Sequence, residues 1–124
     1  MEDQSSTTIQ NHFSGLLYDD LREFLKNDTT HKNKYSDGYV CQDYANELVG
    51  NALKNGIPAC TVFLKHDKGS HSLVAFNTTD EGITFVEPQT SEFVIGLKEG
   101  EDYCELAGWK CNWNIEELKH CFDQ

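Results

Sequence analysis

A thiol, an imidazole and a carboxylate occur along the chain in the order Cys41, His71, Glu87. A thiol reacts as a nucleophile only when ionised, and an imidazole together with a helix N-terminus lowers its pKa from about 8.5 to roughly 3.5–7.5. A carboxylate on the far ring nitrogen orients the imidazole and favours its charged form. The three residues are therefore read as catalytic. Cys41 would attack an amide, ester or thioester carbonyl and His71 would protonate the leaving group. Water or an amine would then open the thioester. The backbone N–H of Cys41 is available for the developing oxyanion, and Tyr35, Tyr39 and Asn33 are positional candidates for a second donor.

The elements that must hold these residues follow from local pattern. Cys41, Ala45, Leu48 and Ala52 form one stripe of a helix running from about Tyr39 to Lys54. Ser36 or Asp37 is available to cap it, and Gly56 stands where a left-handed C-terminal residue is expected. Ala59 to Leu64 reads as a buried strand. His71 to Phe76 and Ile83 to Glu87 read as a hairpin around Thr78–Gly82. Pairing centred near Thr79 would set His71 directly opposite Glu87, and a slip of one residue would turn Glu87 to the wrong face.

Elsewhere, Phe13, Leu17, Leu21, Phe24 and Leu25 recur at helical spacing, and Phe93–Ile95 suggests a fourth short strand. Residues 96–105 carry no clear pattern. Asn114 is placed to cap a helix from Ile115 to about Cys121. Helices followed by a mainly antiparallel sheet give an α+β architecture. Residues 1–12 are expected to be a loose tail and 13–124 a single domain.

Cys41-Gln42-Asp43-Tyr44-Ala45, then Gly56-Ile57-Pro58-Ala59, Gly69-Ser70-His71 and Phe85-Val86-Glu87-Pro88-Gln89-Thr90 together resemble the transglutaminase-like superfamily over about residues 35–90. The resemblance implies a papain-like/transglutaminase-like core, with the nucleophile helix packed on a mainly antiparallel sheet and Cys41, His71 and Glu87 in the family's three site positions. Two positions depart from the pattern. The usual Asp-Pro is Glu87-Pro88, and the arginine often found after the Gly-Ile-Pro-Ala segment is Cys60. The implied activity is cysteine-dependent acyl transfer through a thioester with a Cys-His-Glu triad, with hydrolysis of a peptide, amide or related bond favoured over protein cross-linking and a peptide, protein or small amide as substrate. A non-catalytic peptide- or protein-binding module on the same scaffold is the alternative.

The chain has 124 residues, 38% of them hydrophobic and 11% aromatic, which suits a packed core. Its 10 basic and 21 acidic residues give a net charge of −11, which repels phosphate backbones and anionic lipid and argues against nucleic acid or membrane partners. The acidic start lacks a secretory pattern, and five cysteines without one point to reduced thiols and a cytoplasmic protein. Cys104, Cys111, His120 and Cys121 lack the paired spacing of a zinc site, so no metal or cofactor is expected. Cys60 is read as a core residue, and Trp109 and Trp113 as groove or core aromatics. His12, His31 and His66 are read as exposed. Oligomeric state is not encoded in any of these features.

Overall fold

The computed structural model describes residues 15–122. Helices α1 (Tyr18–Asn27) and α2 (Cys41–Lys54) precede strands β1 (Ala59–His66), β2 (Gly69–Thr78), β3 (Gly82–Glu87) and β4 (Glu92–Val94). The short helix α3 (Tyr103–Ala107) and strand β5 (Ile115–Lys119) complete the order. The strands form one five-stranded sheet, ordered β4-β3-β2-β1-β5, and every pairing is antiparallel.

The sheet buries both faces, because side chains alternate across it. Val74, Phe76 and Val86 meet Ala45, Leu48 and Ala52 of α2 and Leu21 and Leu25 of α1 on one side. Val62, Leu64, Leu73 and Ala75 meet Tyr103, Val94 and Ile115 on the other. The helical stripe of α2 is thus the face that docks on the sheet. Val40 is the residue before the helix, and its N–H is capped by the Asp43 carboxylate at 2.8 Å rather than by Ser36 or Asp37. Gly56 takes the left-handed conformation expected of it, with φ 73°.

Three expectations are corrected. The segment from Ile115 is an edge strand on β1 and not a helix. Its local preference yields to tertiary pairing: the Asn114 carbonyl accepts the Asp67 N–H and its N–H donates to the Asp67 carboxylate, and the free edge of β1 supplies hydrogen-bond partners for the residues that follow. The cysteines are also not all reduced. Cys60 pairs with Cys121, and Cys104 with Cys111, leaving Cys41 as the free thiol among the described residues. Finally, the molecule is mostly a five-stranded antiparallel sheet with small helices, and not the papain-like/transglutaminase-like core. Motif spacing constrains each helix or strand locally but says little about how the sheet is ordered, and β5 at its far edge was not anticipated. The part of the first helix expected at Phe13, and the tail before it, lie outside the described residues.

The Cys60–Cys121 bond closes 61 residues of sequence separation and ties the end of the chain to β1. Replacing both cysteines with alanine should lower the unfolding free energy by about 2–5 kcal/mol, measured by urea titration. Thiol counting in denaturant without reductant should find one group, and counting after reduction should find all five.

Candidate functional site

Cys41 is the first residue of α2, where the unpaired N–H groups and positive helix end favour an anion. Its sulfur hydrogen-bonds the His71 ring, with further contacts from the backbone of Ser72 and Gln42. The His71 bond is the largest influence and draws the thiol below its ordinary value, against the opposing effect of partial burial. His71 lies at the third residue of β2 and is 3% exposed. Glu87 ends β3 and is 0% exposed.

His71 Nε2 lies 2.5 Å from Glu87 Oε1. That contact leaves Nδ1 as the ring nitrogen for the sulfur. Burial alone would discharge the ring, but the hydrogen bonds to Cys41 and Glu87 and the charges on both outweigh it and raise His71 from 6.5 to about 9. The Glu87 carboxylate also accepts the Tyr103 hydroxyl at 2.6 Å on Oε1 and the Gln89 backbone N–H at 2.9 Å on Oε2. Sulfur, imidazole and carboxylate are therefore brought together in one cluster.

The register that achieves this differs from the expected one. Val74 pairs with Val86 and Thr78 with Gly82. Continued along the strands, that pairing sets Leu73 opposite Glu87 and His71 one diagonal step away. The offset is two residues, so the carboxylate stays on the same face as the ring. Both side chains point to the α3 side of the sheet, while Cys41 arrives from the helix on the opposite side, at the start of β2.

The site opens into a cleft of about 470 Å³ lined by Tyr35, Cys41, His66, Lys68, Gly69, Ser70, His71, Gln89, Trp109 and Trp113. Trp109 and Trp113 pack on His71 at 5.6 and 5.4 Å between ring centroids. His66 is buried, not exposed as expected; it stacks on Trp113 at 4.4 Å, and burial lowers its pKa. His31 is half-buried and His12 lies outside the described residues. Of the candidates for a second oxyanion donor, only Tyr35 reaches the cleft. Tyr39 and Asn33 are committed to Glu47. A larger groove of about 1100 Å³ beside α1 contains neither Cys41 nor His71. Among the described residues, no group of His, Cys, Asp and Glu could hold a metal, and Cys104, Cys111 and Cys121 are consumed as disulfides.

Tyr103, Gln89 and His66 were missed by sequence reasoning. Tyr103 had a legible signal: Asp102 caps α3 by accepting the Cys104 N–H, and Gly108 ends it in the left-handed conformation. The helix is five residues long, too short for a period to show.

No protein-family model matches the chain, and no curated protein matches it. Among solved structures it is similar to Polyporus squamosus lectin bound to the human-type influenza-binding epitope Neu5Aca2-6Galb1-4GlcNAc, and to a PSL1a-E64 complex. Each has a TM-score of 0.56 and 20% identity over 63% of this chain and 33% of the other. The chain thus spans about a third of the length of these lectin chains, and the likeness concerns the fold. It overturns the transglutaminase-like assignment: the structural neighbours are lectin chains, and no family model supports the motif resemblance.

The opposed shifts predict a thiolate–imidazolium pair at neutral pH. Raising His71 above its unfolded value stabilises the fold below about pH 6.5, a contribution lost as pH rises through about 9. Lowering Cys41 stabilises the fold above the ordinary thiol range, a contribution lost as pH falls through the depressed folded value. The two slopes oppose each other between the depressed Cys41 value and about pH 9. Iodoacetamide should label Cys41 at a rate that is level across neutral pH, whereas in His71→Ala the rate should climb only near the ordinary thiol range.

Proposed function

We propose that the domain is a binding module whose cleft brings an acyl-bearing ligand, a peptide, protein or small amide or ester, to a nucleophilic thiol. The observation that carries this reading is the Cys41 sulfur bonded to a buried, raised-pKa His71 at the floor of an aromatic cleft. In the step envisaged, Sγ bonds to the carbonyl carbon, the bond from that carbon to the leaving nitrogen or oxygen breaks, and the His71 Nδ1 proton passes to the leaving group. The acyl group remains as a thioester. An acceptor that attacks it returns a proton to His71, and the sulfur leaves as the thiolate, restoring the starting pair. The N–H of Cys41, at the first position of the helix, is the candidate donor to the oxyanion.

A second reading is favoured by the lectin likeness, which sits better with the non-catalytic binding module than with a cysteine hydrolase. Polyporus squamosus lectin was solved with a glycan, and Trp109, Trp113 and Tyr35 offer this cleft aromatic faces on which a sugar ring could stack. Here the ligand is held reversibly and the thiol is not used. The two disulfides favour an oxidising setting for the domain over the cytoplasmic one expected from composition. No helix among the described residues is long and apolar enough to cross a membrane.

Incubation with p-nitrophenyl acyl esters and with peptide thioesters, followed by peptide mapping, separates the readings. An acyl adduct on Cys41, absent in Cys41→Ala and slowed by about 100-fold or more in His71→Ala, is the expected result. If no adduct forms, while a glycan array binds wild type and Cys41→Ala equally and Trp109→Ala not at all, the reversible reading replaces it.

A further inference from the structure

The segment from Asp102 to Asn114 is a closed loop. Asp102 and Asn114 form a β-bridge at its base, and the Asp102 carboxylate accepts the Trp113 N–H at 2.8 Å. Cys104 and Cys111 cross-link it. The Tyr103 N–H donates to the Trp113 carbonyl at 2.8 Å, which fixes the tyrosine backbone. The ring is fully buried between His71, at 5.1 Å, and Trp109 and Trp113, at 5.8 and 6.1 Å. Its hydroxyl makes the contact with Glu87 Oε1, the oxygen that also holds His71 Nε2. A tyrosine buried to this degree needs a hydrogen-bond partner, and this one has been given the carboxylate of the site.

We propose that Tyr103 is a positioning residue: by donating to the Glu87 oxygen that holds His71, it fixes the carboxylate and sets the orientation and charge of the ring presented to Cys41. Oε1 accepts two short hydrogen bonds, so they compete for its electron density. Withdrawing the tyrosine donor destabilises the carboxylate most when the ring is neutral, because an imidazolium already compensates part of its charge. The His71–Glu87 pair would then hold its proton to higher pH. Strengthening the donor has the opposite effect. Among the described residues, the other titratable or charged groups near the pair are Cys41 and Tyr44 from α2, His66 from β1, Lys68 from the β1–β2 turn and Tyr35 from the segment before α2, and none of them is substituted in this comparison. Burial, followed by the Glu87 charge, raises Tyr103 itself, so the phenol keeps its proton and remains a donor throughout.

The inference deepens the thiol reading, because it concerns the same site, but its test reads His71 directly and requires no acyl chemistry. The titration of ¹⁵N-labelled His71 is followed by NMR in wild type, in Tyr103→Phe and in protein carrying a fluorotyrosine at position 103, whose hydroxyl is the stronger donor. Tyr103→Phe should move the His71 midpoint upward by roughly one pH unit, the scale of a lost hydrogen bond to a charged group. The fluorotyrosine should move it downward. Should Tyr103→Phe not fold, the fluorotyrosine protein retains both ring and hydroxyl and still reports. Midpoints that stay put, or that move in the same direction in both proteins, would overturn the assignment and leave Tyr103 as a core residue. Failure of the acyl probes to label Cys41 would count against the proposed function alone.

Discussion

Glu87 has no exposure to solvent and must still serve as an ion partner. A carboxylate withdrawn from water is costly unless its oxygens are occupied, and here three donors from three parts of the chain occupy them: the His71 ring, the Tyr103 hydroxyl and the Gln89 backbone. The rest of the site depends on that arrangement. Without the carboxylate, only Cys41 would oppose the burial that discharges His71, and a less charged ring would hold the sulfur less firmly as a thiolate. The aromatic loop is the other half of the constraint, since Trp109, Trp113 and Tyr103 exclude the water that would otherwise weaken each of these bonds.

The two faces of the sheet divide the work. One packs α1 and α2 in an apolar core that fixes where α2 begins, and hence where Cys41 stands. The other holds His71 and Glu87 under the cross-linked loop. The two meet near the start of β2, where Cys41 at the helix end contacts the His71 ring. The likeness to lectin chains concerns the fold, so function must be argued from the cleft and not from the architecture.

Much of the helical and hairpin structure was legible because it is local. The stripe of Cys41, Ala45, Leu48 and Ala52 has a clear period, and the hairpin has a turn between two β-branched runs. The diagonal placement of His71 and Glu87 was not readable to the residue, yet their shared face was, since a two-residue offset preserves parity. What escaped is non-local. Ile115–Lys119 becomes a strand only because β1 has an open edge, and the pairing of Cys60 with Cys121 joins residues far apart in sequence. Tyr103 joins the site from a patternless stretch. The family resemblance misled for a related reason: short motifs around Cys41, His71 and Glu87 describe a local arrangement, and they were extended to a whole fold that the structural neighbours do not share.

The central claim is that the folded protein holds Cys41 as a thiolate beside an imidazolium. Ultraviolet difference absorbance of wild type against Cys41→Ser reads the thiolate directly. The signal should already be present at neutral pH and should disappear there in His71→Ala. A wild-type signal that emerges only as pH rises through about 8.5, as for an ordinary thiol, would contradict the account.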